Sequence, residues 1–118
     1  MPELPEVEVT RRSFADRIQG ARIVAAEPGL PLRWPLGRAP KDLVGQTVAG
    51  VDRRGKYLLL DLQDGSTIVF HLRMTGSLVY DPSGRQRDAY ARIVFHLVGG
   101  GALVFADVRT FGCVYGFA

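Results

Sequence analysis

Apolar positions recur at a helical spacing near the N-terminus and then, for most of the remaining length, in short alternating runs. Leu4, Val7, Phe14 and Ile18 share one helical face, Pro5 suits the first turn, where its missing N–H costs nothing, and Gly20 is a natural stop. Glu6 and Glu8 near the start, with Arg11, Arg12 and Arg17 further on, match the helix macrodipole. A short run with a β-branched centre follows, ARIVAAE (21–27), which predicts a strand. The Pro/Gly-rich stretch PGLPLRWPLGRAP (28–40) carries Trp34 and several leucines, so it reads as an ordered loop rather than a linker. PKDLVGQ (40–46) predicts a single helical turn, opened by Pro40 and closed by Gly45.

Strands and turns take up the rest. TVAGVDR, KYLLLDL, STIVFHL, GSLVY, ARIVFHL and GALVFAD are separated by RRG, QDG, MTG, DPSGRQRD and VGGG, and residues 113–117 read as one further strand. Regular short strands with Gly/Asp turns predict an antiparallel sandwich or barrel. The pentapeptide IVFHL occurs at 68–72 and again at 93–97 without a longer repeat around it, so it reflects shared β vocabulary rather than duplication.

Composition narrows this picture. A chain of 118 residues holds one hydrophobic core, so 1–118 is read as one domain. No apolar run approaches the roughly 18 residues that span a membrane, and the acidic N-terminus lacks the apolar segment of a signal peptide. Cys113 is the only cysteine, which excludes an internal disulfide and a multi-cysteine metal site and fits a cytoplasmic setting. The net charge of +3 favours a polyanionic partner only mildly.

Four stretches can carry chemistry. In MPELPE, removal of Met1 would leave Pro2 as a free secondary amine. Its α-amino group titrates well below a lysine, and a nearby helix N-terminus lowers it further. Such an amine attacks a sugar C1′ or an aldehyde to give an iminium ion. Glu3 beside it can shuttle the proton to and from the sugar ring, with Glu6 in support. Alone, PELPE serves equally well as a plain helix start. In RRGKYLLL, Gly55 makes a tight turn and Lys56 opens a strand, where an ammonium can meet phosphate, although a solvated strand-end lysine is the plainer reading.

In FHLRMTGSL, Met74 sits in a turn, and apolar wedges of this kind unstack base pairs. His71 precedes it, and a lone strand histidine is more often structural than a ligand; His96, in the second IVFHL, is assigned no function. In DVRTFG, Arg109 and Phe111 would point the same way if extended, a cation beside an aromatic suited to filling a hole in a base stack. A turn with Phe111 in the core fits that spacing as well.

Taken in order, MPELPEVE, RRGKYLLL, HLRMTGSL and DVRTFG, with LRWP at 32–35, closely resemble the N-terminal domain of formamidopyrimidine-DNA glycosylase, a bacterial base-excision repair family that removes oxidised purines. The resemblance runs from Met1 to about Phe117. It implies a mainly β (α+β) fold, a two-layered antiparallel β-sandwich flanked by an N-terminal helix. It implies a bifunctional glycosylase and abasic-site lyase with Pro2 as nucleophile and Glu3 as general acid/base. Lys56 and His71 would hold phosphates around the flipped nucleotide, with Lys56 also assisting β-elimination. Met74, Arg109 and Phe111 would fill the void left by the extruded base, offsetting part of the few kcal/mol that unstacking costs.

The partner implied is double-stranded DNA carrying oxidised bases or abasic sites, met by a monomer in the cytoplasm at the nucleoid, with no membrane contact. Two departures stand out. The family usually has a DNA-contacting histidine where Tyr90 stands in DAYARI, although a tyrosine hydroxyl can also bond phosphate. Family members also continue into a helix–two-turn–helix region and a zinc finger. These 118 residues contain neither, and one cysteine cannot build that zinc site, so no cofactor is expected in this chain. Two other readings remain open. One is a non-catalytic module that binds damaged DNA. The other is the related endonuclease VIII-like glycosylase for oxidised pyrimidines, which typically has Gly where this chain has Leu4.

Overall fold

The computed structural model describes residues 4–29, 40–72, 76–85, 89–107 and 113–117. Pro2, Glu3, Met74, Arg109, Phe111 and the Trp34 stretch lie outside them; side chains are described from Glu8 onward in the first helix and not within the last strand.

Phe14 and Ile18, four residues apart on one helical face, are both buried, while Val9 on the opposite side is exposed. They belong to α1 (Leu4–Ile18), and Gly20 follows with φ +85°. Among the described residues eight strands make up the sandwich: β1 (Ile23–Pro28), β2 (Val48–Arg54), β3 (Tyr57–Leu62), β4 (Thr67–His71), β5 (Gly76–Asp81), β6 (Ala91–Leu97), β7 (Ala102–Asp107) and β8 (Cys113–Phe117). A single 3-10 turn, Pro40–Leu43, stands where the sequence predicted one, and Leu43 is buried.

These strands form two four-stranded sheets, ordered β1-β6-β7-β5 and β2-β3-β4-β8, and every pairing is antiparallel. Alternation decides what each strand buries. Leu58, Leu60 and Leu62 of β3 and Ile68 and Phe70 of β4 point inward from one sheet. Ile93, Phe95 and Leu97 of β6 with Leu103 and Phe105 of β7 point inward from the other. The layers meet at Phe70, whose ring lies 6.4 Å from Phe95, edge to face, and 5.8 Å from Phe105. Each such buried ring is worth several kcal/mol, since Phe→Ala in a core typically costs about 3–5 kcal/mol.

The helix lies against β2 and β3 of one sheet and β5 of the other, closing the gap between them. Arg17 sits over the Tyr80 ring at 5.9 Å, a further tie from helix to β5. Among the described residues, no helix is long and apolar enough to cross a membrane.

Candidate nucleic-acid interface

Strand register brings the separated motifs to one end of the sandwich. Tyr57 pairs with His71, and His71 pairs with Cys113, so β3 starts, β4 ends and β8 starts side by side. In the other sheet Gly76 pairs with Asp107, so β5 starts where β7 ends, and the Asp107 N–H donates to the Tyr90 carbonyl at 3.0 Å. The chain passes from one sheet to the other between Leu72 and Gly76, and back again between Asp107 and Cys113. Both crossings leave from paired residues and arrive at paired residues. In sequence Met74 falls between Leu72 and Gly76, and Arg109 and Phe111 fall between Asp107 and Cys113; the described residues flanking all three lie at the same end of the sandwich.

Leu72 and Gly76 approach each other closely. The Gly76 N–H donates to the Leu72 carbonyl at 2.9 Å, and a Cβ at Gly76 would sit 2.5 Å from that same oxygen. A side chain there would collide with backbone that cannot move away, so glycine is the residue that fits.

Lys56 lies in the same neighbourhood. Arg54 pairs with Tyr57, leaving Gly55 and Lys56 as a two-residue hairpin turn, with Gly55 at φ +59°. The sequence predicted Lys56 as the first strand residue; the hairpin register puts it in the turn itself, half-buried, one residue before β3. His71 is buried beneath Tyr57, ring centroids 4.8 Å apart in an edge arrangement, which leaves little of it open to a phosphate. His96, its counterpart in the repeated pentapeptide, stands instead on the surface, 3.1 Å from Glu27. Tyr90 is exposed at the turn that opens β6. Glu6 falls in the first turn of α1.

One residue of the network escaped the motif reading. Glu8 accepts from Arg11 Nε at 2.9 Å and Nη2 at 2.6 Å, from Arg12 Nε at 2.8 Å and from Arg53 Nε at 3.0 Å. Arg11 and Arg12 lie one helical turn away and were legible as i, i+3 and i, i+4 partners. Arg53 was not, since it lies 45 residues away in β2. One carboxylate shared among three guanidiniums leaves the group cationic, and Arg12 keeps most of its side chain in solvent.

These hydrogen bonds, led by those of Arg11 and then Arg53, hold the Glu8 carboxyl far below its ordinary value of 4.5. A carboxylate lowered on folding adds stability that is complete above its unfolded value and is lost as pH falls toward the folded one. Glu8→Gln should therefore melt at lower temperature than wild type at neutral pH. That gap should close as pH drops below 4.5 and further down, which thermal melts at a series of acid pH values will show. A gap that stays constant with pH would mean Glu8 is not held as a carboxylate.

A two-layered antiparallel sandwich flanked by an N-terminal helix is the class of protein that the fold defines. The sequence matches the family described as formamidopyrimidine-DNA glycosylase N-terminal domain over residues 1–114. It is 52% identical over 117 residues to the formamidopyrimidine-DNA glycosylase of Acidovorax ebreus, covering 97% of this chain and 41% of that protein. It is 46% identical over 113 residues to the enzyme of that name from Shewanella amazonensis, covering 95% and 41%. The fold superposes with a TM-score of 0.87 on Lactococcus lactis formamidopyrimidine-DNA glycosylase non-covalently bound to DNA containing an AP site, at 34% identity over 98% of this chain and 45% of that one. A second Lactococcus lactis structure, a complex with DNA containing FAPY-dG, matches at 0.86 and 35% identity, covering 98% and 44%. This chain belongs to the formamidopyrimidine-DNA glycosylase family, and it spans about two fifths of the length of the curated relatives described. Among the described residues no three His, Cys, Asp or Glu side chains gather as a metal site.

Proposed function

We propose that this chain is the catalytic part of a bifunctional DNA glycosylase and abasic-site lyase that excises oxidised purines through the Pro2 amine. One observation carries the reading: the Lys56 turn, His71, Tyr90 and both inter-sheet crossings share the end of the sandwich to which the Glu8–Arg53 contact fastens α1. Pro2 is two residues before the start of α1 at Leu4, and two residues of chain reach at most ~7 Å. The amine is therefore tethered to this same end.

In the proposed reaction the Pro2 nitrogen bonds to C1′ of the damaged nucleotide as the glycosidic bond breaks, and the base leaves with the proton that the Pro2 nitrogen gives up. Glu3 supplies a proton to the ring oxygen, the sugar opens and a Pro2 iminium ion results. Loss of a C2′ proton to water then breaks the C3′–O bond and expels the 3′ phosphate, with Lys56 as the nearby cation. Met74, Arg109 and Phe111 are assigned to the gap in the stack, Arg109 toward the orphaned base; Lys56 and Tyr90 are assigned to phosphates, with His71 packed behind Tyr57 rather than facing one. Such a substrate puts the work at the nucleoid, in the cytoplasm. Sodium borohydride with abasic-site DNA tests the reading, since only a Schiff-base former is left covalently attached. A lesion-binding module without chemistry would bind that DNA and leave no adduct.

Few phosphate contacts imply a shallow salt dependence. Log affinity falls by about 0.9 per neutralised phosphate for each unit of log salt, so a slope of about one to three is expected. Lys56→Ala should lower it by about one on every sequence, whereas Arg109→Ala should chiefly weaken lesion-specific binding. Titrations at several salt concentrations, with and without an abasic analogue, measure both. A steep slope would instead bring in the arginines of GRQR at 84–87 or the exposed Arg12.

A further inference from the structure

Arg53 reaches in two directions from β2. Its Nε donates to Glu8 at 3.0 Å, and its Nη1 donates to the Gly55 carbonyl at 3.1 Å. One guanidinium therefore ties α1 to the two-residue turn that holds Lys56. Glu8 is fixed at its own end by the two-bond grip of Arg11 and by Arg12, and Arg11 also reaches the Val51 carbonyl at 3.5 Å. Neither Glu8 nor Arg53 belongs to the reacting groups assigned above. Glu8 is four residues beyond Leu4, about 6 Å along a rigid helix, so whatever holds Glu8 also sets where the helix begins.

We infer that Glu8 and Arg53 are positioning residues for the reaction: their contact fixes the distance between the helix start, with the Pro2 amine tethered to it, and the Lys56 ammonium. The inference rests on Pro2 as nucleophile. Nucleophile and cation come from segments more than 50 residues apart in the chain, and a misplacement of about 1 Å can cost on the order of a hundredfold in rate. Arginine is suited to the place because its planar fork makes two divergent bonds at once; a lysine offers one compact point charge and cannot reproduce both.

The test compares wild type, Glu8→Gln and Arg53→Lys by two measurements. The first is the rate of borohydride trapping on abasic duplex at saturating DNA. The second is the Kd for a duplex holding an unreactive tetrahydrofuran abasic analogue. Both variants should trap about ten- to a hundredfold more slowly while binding the analogue as well as wild type. Glu8→Gln removes a negative charge, so its binding should be equal or tighter. A wild-type trapping rate in either variant overturns the inference, as does a loss of rate and affinity together, which marks a merely structural role. If Glu8→Gln does not fold, Arg53→Lys, which keeps every charge, decides alone; if neither folds, the network is a stability element and the inference fails. Wild-type protein that never traps removes the nucleophile itself, and the inference with it.

Discussion

Protein that keeps Met1 should give no borohydride-trapped adduct on abasic DNA, whereas protein processed to Pro2 should trap readily. The reason lies in one bond. With Met1 attached, the Pro2 nitrogen is a tertiary amide: its lone pair is delocalised into the carbonyl and it carries no proton to lose. Freed, it is a secondary amine that titrates far below a lysine, so much more of it is unprotonated at neutral pH. Preparations with and without aminopeptidase treatment, their N-termini checked by intact mass, make the comparison with no change in the sequence after position 1. Blocked and processed forms should bind the DNA alike. Equal trapping by the two would assign the chemistry to another amine.

Glu3→Gln should lower excision of an oxidised purine by about 10²–10⁴-fold while leaving substantial lyase activity on a preformed abasic site. Excision needs a proton delivered as the glycosidic bond breaks and the sugar opens. A preformed abasic site is already in equilibrium with an open aldehyde, so an amine can condense with it unaided. Gln keeps the size and polarity of Glu3 but has no proton to give at neutral pH, which makes the separation of the two activities a chemical result. Parallel loss of both would point to a folding or binding role for Glu3.

Local pattern made most of the elements legible. Alternation in KYLLLDL and STIVFHL put Leu58, Leu60, Ile68 and Phe70 on one side of their strands, and that side is the core. The turn at Pro40–Leu43 followed from Pro40 and Gly45, the latter at φ +92°. Strand order did not follow. A period of two says which face a strand buries and nothing about its partner, so β1-β6-β7-β5 and β2-β3-β4-β8 had to be read from the fold. Lys56 was misplaced by one residue because the choice between turn and strand depends on which residue faces Tyr57, and Arg54 does.

Long-range contacts account for the rest. Glu8 looked like a residue placed for the helix dipole, yet its link to Arg53 in β2 is what joins helix to sheet. Likewise Met74 and Phe111 share a motif logic only once Gly76 is seen paired with Asp107, and His71 with Cys113.

The central claim is that the Pro2 nitrogen is the nucleophile, and peptide mapping of the reduced adduct tests it most directly. Processed protein is trapped with borohydride on abasic DNA, the DNA is digested away and the protein is cleaved and sequenced by tandem mass spectrometry. The sugar remnant should sit on the nitrogen of Pro2, in the peptide that begins PELPE, with Lys56 unmodified. A remnant on Lys56 or on any other lysine, with Pro2 recovered free, would contradict the account.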